Sequence, residues 1–102
     1  MNFEKNEDGT VLRLTLDKKL SAVTADQLEK ELDEQLEGVK DFIIDMAKLV
    51  YVSSAGLRVL LKAQRYVSRY GKMKVINAVP EVMKIFETTG FDEIFDISRQ
   101  GR

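Results

Sequence analysis

The chain has 102 residues, of which 44% are hydrophobic and 32% charged, with 16 basic side chains against 17 acidic ones. That balance fits one soluble globular domain over residues 1–102 and not a direct nucleic-acid binder, which would carry a basic excess. With no cysteine and no histidine, disulfides, thiol nucleophiles, imidazole bases and the usual zinc ligands are excluded together.

No apolar run approaches the roughly 18 residues that span a bilayer, and the charged start "MNFEKNED" lacks a signal peptide's apolar segment. A cytoplasmic protein without membrane insertion is expected. The charge is unevenly placed: residues 1–51 carry 7 basic and 12 acidic side chains, residues 52–102 carry 9 and 5. Such a dipolar chain can present faces of opposite sign, which would orient a protein partner.

In chain order, an edge strand around Phe3 is followed by Asp8-Gly9, which suits a tight reversal, and then by "VLRLTL", residues 11–16. There Leu12, Leu14 and Leu16 alternate on one face, the period of a half-buried strand. A helix is predicted from Thr24, with Thr24 and Gln27 at capping-box spacing and Ala25, Leu28, Leu32 and Leu36 on one face. Its other face is acidic, and Gly38 ends it. "DFIIDM", residues 41–46, reads as a central strand covered on both faces because "FII" is uniformly apolar. "VYV" follows as a short extended approach. A second helix is predicted from Ser54 to about Tyr70, with Leu57, Leu60, Leu61, Ala63 and Val67 on its apolar side and Gly71 at the C′ position. "MKVIN", residues 73–77, is a strand; Pro80 opens a helix running to Gly90; "IFDI", residues 94–97, adds an edge strand. The order predicts an α/β fold with a mixed four- to five-stranded sheet covered by α-helices. The tail from about residue 98, "SRQGR", is expected to fray.

Chemistry concentrates at "YVSSAGLRVLL", residues 51–61, where Ser53 and Ser54 stand before an apolar helical pattern. A nucleophilic serine needs a base, and neither "GxSxG" nor "SxxK" spacing is present; nor is a phosphate-cradling "GxxxxGK[ST]". Asp41 and Asp45 are too weak a pattern for a metal pair. No catalytic residue, metal or cofactor is expected. Ser54 is placed to be the helix N-cap, with Ser53 in the approach loop. At 100° per residue, however, Ser54, Arg58, Lys62, Arg65 and Arg69 share a sector of roughly 80°. Ser54 therefore heads a basic stripe, and a phosphate is electrostatically tolerated at a helix N-terminus.

"FIIDMAKLVYVSSAGLRVLLKA" and "GKMKVINAVPEVMKIFETTGFDEIFDI" together resemble the STAS domain of anti-sigma factor antagonists, most specifically at "SSAGLRVLL" and "TTGFDEIF". The resemblance implies a small STAS-like domain that is a binding module and not an enzyme. It places Ser54 as the serine phosphorylated by a partner that is both anti-sigma factor and serine kinase. Unphosphorylated, such a protein captures the anti-sigma factor and frees the sigma factor; a serine phosphatase resets the phosphorylated form. The implied docking face comprises Ser21, Ser53, Ser54, Ala55, Arg58 and Lys62. Lys18, Ser21 and Ser53 depart from the family's usual glycine and two aspartates. A different class is a constitutive STAS subunit of a transporter or signalling assembly, in which Ser54 is only the helix cap.

Overall fold

The structure, a computed structural model, describes residues 1–98; of the expected frayed tail, residues 99–102 lie outside the described residues. The leucine alternation becomes strand β2 (Val11–Thr15), paired antiparallel with β1 (Asn2–Lys5) across a turn in which Gly9 has φ 77°. β4 (Asp41–Asp45), β6 (Lys72–Ile76) and β7 (Asp96–Ile97) join parallel to β2 in the order β1-β2-β4-β6-β7. The crossovers are helices α1 (Ala22–Gln35), α2 (Ser54–Val67) and α3 (Pro80–Thr89). Pro80 takes the first turn of α3, and Gly90 closes it with φ 81°, a left-handed conformation a Cβ would resist.

The core lies on one face of the sheet. Leu12, Leu14, Phe42, Ile44, Met73 and Val75 are buried there with Leu28, Leu32, Leu60, Val67 and Phe86 from the three helices. The expected cover on both faces of β4 is not found. Ile43 is only partly buried and outside the core cluster, level with Arg13 and Lys74 on the neighbouring strands. Those flanking charges need water, so the three apolar letters "FII" divide between the core and an open sheet face.

The helix α1 begins earlier than predicted. Ser21, not Thr24, is its N-cap: Ser21 Oγ accepts the Thr24 N–H at 3.3 Å and Thr24 Oγ1 accepts the Ser21 N–H at 2.7 Å. Gln27 plays no part in that capping box. The predicted apolar face of Ala25, Leu28, Leu32 and Leu36 is buried as expected. α2 stops at Val67, and its buried side includes Val59, whereas Leu61 is only partly buried and outside the core. Gly71 is not a left-handed cap. A Cβ there would lie 1.8 Å from the Lys40 carbonyl oxygen, so glycine is required by the close approach of two segments of the backbone.

Candidate functional site: two level helix entrances

Two short strands build the site, one of them within the extended "VYV" approach of the sequence reading and the other, with the pairing between them, not anticipated. β3 (Lys19–Leu20) pairs parallel with β5 (Tyr51–Val52), Lys19 beside Tyr51 and Leu20 beside Val52, an offset of 32 positions. Val50 N–H donates to the Lys18 carbonyl and Ser53 N–H to the Leu20 carbonyl, each at 2.8 Å. Two segments held level and parallel then turn into helices at the same height. The same offset sets Ser21 beside Ser53, Ala22 beside Ser54 and Thr24 beside Gly56.

Ser53 caps α2. Its backbone is extended, at φ −79° and ψ 168°, and its Oγ accepts the Gly56 N–H at 3.0 Å, satisfying one of the amides a helix start leaves without a partner. The expectation that Ser54 is the cap is thereby corrected. The helix starts one residue sooner because the β3–β5 pairing ends at Val52 and fixes Ser53 in the extended form a cap requires. Ser54 becomes the first helical residue, exposed, and its hydroxyl makes no hydrogen bond among the described residues. Two adjacent helix N-termini direct their partial positive charge toward this corner.

Gly56 explains how closely the units fit. A Cβ on it would stand 2.8 Å from Leu20 Cγ and 3.1 Å from Val52 Cγ1, so α2 rests directly on the short strand pair. The chain is delivered to that pair by a loop anchored on Asp45 at the end of β4. Its carboxylate accepts the Ala47 N–H at 3.0 Å, Asn77 Nδ2 at 3.1 Å and Arg13 Nη2 at 3.0 Å. Burial pushes the Asp45 pKa up, and the bonds from Ala47, Asn77 and Arg13 together outweigh it, holding the group below the ordinary 3.8. A depressed carboxylate pKa stabilises the fold above the ordinary value, and that contribution is lost as pH falls from there through the folded value. With its oxygens so occupied, Asp45 anchors the loop and does not pair with Asp41, which is exposed four residues away at the other end of β4.

The remaining predicted site residues divide into two groups. Arg58 is exposed one turn beyond Ser54 and forms no ion pair among the described residues; the same holds for Arg65 and Arg69. Lys62 is committed: its Nζ lies 2.7 Å from Glu29 Oε2 and 3.9 Å from Asp33 Oδ1 on α1. The Glu29 bond, with Asp33 and Glu29 charge beside it, raises the Lys62 pKa above 10.5. Ala55 is partly buried against the core, and Ser21 is occupied as the cap of α1. Sequence reasoning missed Val23, 68% exposed in the first turn of α1, and Tyr51, 49% exposed on β5. The signal for Val23 was available, since it is out of phase with Ala25, Leu28 and Leu32; Tyr51 became legible only with the pairing of β5.

A family model described as the STAS domain matches residues 2–100. BtrV of Bordetella bronchiseptica, named as a candidate anti-sigma factor antagonist, is 37% identical over 81 residues, covering 78% of this chain and 70% of BtrV. A candidate anti-sigma factor antagonist from Thermotoga maritima superposes with a TM-score of 0.85 at 17% identity, over 98% of this chain and 86% of that one. The anti-sigma factor antagonist SpoIIAA in its unphosphorylated form superposes with a TM-score of 0.79 at 17% identity, over 97% and 90% of the two chains. At those identities the two structures establish a shared fold.

Proposed function

The chain belongs to the STAS domain family, and we propose that it is an anti-sigma factor antagonist switched by phosphorylation of Ser54. Unmodified, it captures an anti-sigma factor that is also a serine kinase, releasing the sigma factor; phosphorylated, it lets go until a serine phosphatase removes the phosphate. The docking face is the corner of Ser21, Ser53, Ser54, Ala55, Arg58 and Lys62, and the setting is the cytoplasm. No cofactor, membrane insertion or direct nucleic-acid contact enters this reading.

The observation that carries it is the division of labour between the two serines. Ser53 is spent on the cap, which leaves the Ser54 hydroxyl exposed, without a partner among the described residues, at the head of the stripe that begins with Arg58. A phosphate there adds about −1.5 to −2 charges and three acceptor oxygens to a docking face without disturbing the cap. SpoIIAA, a fold relative, has been solved in both unphosphorylated and phosphorylated forms. BtrV, at 37% identity, supports the anti-sigma reading.

The test is titration calorimetry against the serine kinase that the unmodified chain captures, with a kinase assay on each serine variant. Ser54→Ala is expected to bind and to escape phosphorylation. Ser54→Asp and Arg58→Glu are each expected to bind at least about tenfold more weakly, a loss of about 1.4 kcal/mol. Phosphate found on Ser53, or undiminished binding by Ser54→Asp, overturns the assignment.

A further inference from the structure

The helical face of the molecule is divided lengthwise by charge. Along α1, Asp26, Glu29, Asp33 and Glu34 face outward or toward α2, with Glu37 in the turn just beyond its end; along α2 the outward face carries Arg58, Lys62 and Arg65, with Arg69 in the turn just beyond its end. Between them runs a groove floored by Leu32, Leu36, Val59 and Ala63 and flanked by Tyr66. Both helices have 14 residues and start level, because the β3–β5 pairing fixes the offset of 32. That offset sets Asp26 level with Arg58 and Asp33 level with Arg65 along the helices, and Glu37 and Arg69 follow in the turns just beyond the two helix ends. The Lys62 bridges to Glu29 and Asp33 confirm this height relation within the chain.

We propose that this face is a homodimer interface, in which a second copy docks about a two-fold axis running along the α1–α2 groove. A surface that is acidic on one side of a line and basic on the other is its own complement under rotation about that line. The rotation lays α1 of each copy on α2 of the other and preserves height, so Asp26 meets Arg58, Asp33 meets Arg65 and Glu37 meets Arg69 of the second copy, each pair twice. The two grooves, each with an apolar floor and its own Lys62–Glu29 bridge across it, meet on the axis. Within one chain these arginines lack ion-pair partners among the described residues, so the contact uses basic charge that the fold leaves unspent, while Asp26 and Asp33 would be shared with their own Lys30 and Lys62. Lys30 and Lys62, which the rotation also brings level, are both paired inside their own chain, Lys30 to Asp26 and Lys62 to Glu29 and Asp33. Arg58 belongs both to this interface and to the proposed docking corner, so self-association and partner capture compete. The inference stands on the charge pattern and does not require Ser54 to be phosphorylated.

Sedimentation velocity of the full chain at tens to hundreds of micromolar tests it, since screening at higher salt must weaken the contact. The expected result is a dimer at about 0.05 M salt whose affinity falls at least about tenfold by 0.5 M. One variant reverses the acidic side (Asp26→Lys with Glu37→Lys), another the basic side (Arg58→Glu with Arg69→Glu). Each alone is expected to be monomeric, with a melting temperature near the parent's, and an equimolar mixture is expected to form a heterodimer. A native chain that stays monomeric at low salt, a dimer that survives either reversal, or a mixture that does not associate overturns the proposal.

Discussion

The entrances of α1 and α2 are two versions of one design, and their differences mark where the fold has been turned to use. Both follow a two-residue strand, both are capped by serine, and both bury a leucine seven residues after the cap, Leu28 in one and Leu60 in the other, each 0% exposed. Two of the differences between them bear on the helix start. After the cap, α1 has Ala22 and α2 has Ser54; at the third helical residue, α1 has Thr24, whose hydroxyl closes a capping box, and α2 has Gly56. In α1 every hydroxyl near the entrance is bonded to its own helix end. In α2 the cap is kept and a second hydroxyl is added that the helix does not use.

The largest effect expected from breaking the comparison lies in what the two units share. Truncation of either Leu28 or Leu60 to alanine should cost about 2–5 kcal/mol, because each removes fully buried methyl groups from the same cluster. Lys62→Ala, on the outer side of α2, should stay within about 0.5 kcal/mol. Urea denaturation separates these outcomes. A Leu60 loss no larger than the Lys62 one would mean that α2 packs with a different phase from the one described.

A smaller effect is expected where the units differ in packing. Gly56→Ala pushes a Cβ to 2.8 Å from Leu20 Cγ and should cost about 1–3 kcal/mol, since Cγ is held close to the backbone and cannot swing aside as a side-chain tip would. At the matching place in α1, Thr24→Ala removes the box bonds and a 3.3 Å bond to the Lys19 carbonyl and should cost about 0.5–1.5 kcal/mol. A neutral or stabilising Gly56→Ala, as helix propensity alone would give, would show that α2 does not rest on the short strand pair.

Elements whose cause is local could be read directly from the sequence. The alternation of Leu12, Leu14 and Leu16, the proline opening α3 and the glycine closing it all act within a few residues, and all are where the sequence put them. The misreadings share a non-local cause. "KKLSAVTADQ" contains two serine or threonine residues with box-like spacing, Ser21 with Thr24 and Thr24 with Gln27, and only the pairing of Leu20 with Val52 selects the first. The same pairing moved the α2 cap from Ser54 to Ser53. A two-residue strand has no periodicity to detect, and its partner is 32 positions away. Gly71 was read by its place after a helix, when the reason for it is the Lys40 backbone beside it. Ile43 looked buried because its strand neighbours are apolar, while the charges that open its face to water lie on adjacent strands. The candidate site was legible in its residue types and not in its roles: the basic stripe is present, but Lys62 is committed to α1 and Arg58 is not.

The smallest and most discriminating effects concern the caps. Ser21→Ala and Ser53→Ala should each cost about 1 kcal/mol, since each leaves a helix-start amide without its side-chain acceptor. Ser54→Ala should change stability by no more than about 0.5 kcal/mol, because its hydroxyl has no bond to lose among the described residues. Ser54→Asp should move the other way, stabilising by about 0.3–1 kcal/mol through the favourable placement of a negative charge in the first turn. Denaturation of the four variants at low ionic strength, where that last term is least screened, gives the ordering. Equal losses for Ser53→Ala and Ser54→Ala would mean that the two serines share the cap and that the two entrances are alike. The expected ordering keeps them apart, because a residue whose removal costs the fold little is one whose chemistry can change without unfolding the helix it begins. Stability measured this way needs no partner and no kinase, so it tests the division of labour between Ser53 and Ser54 before any question of what binds there.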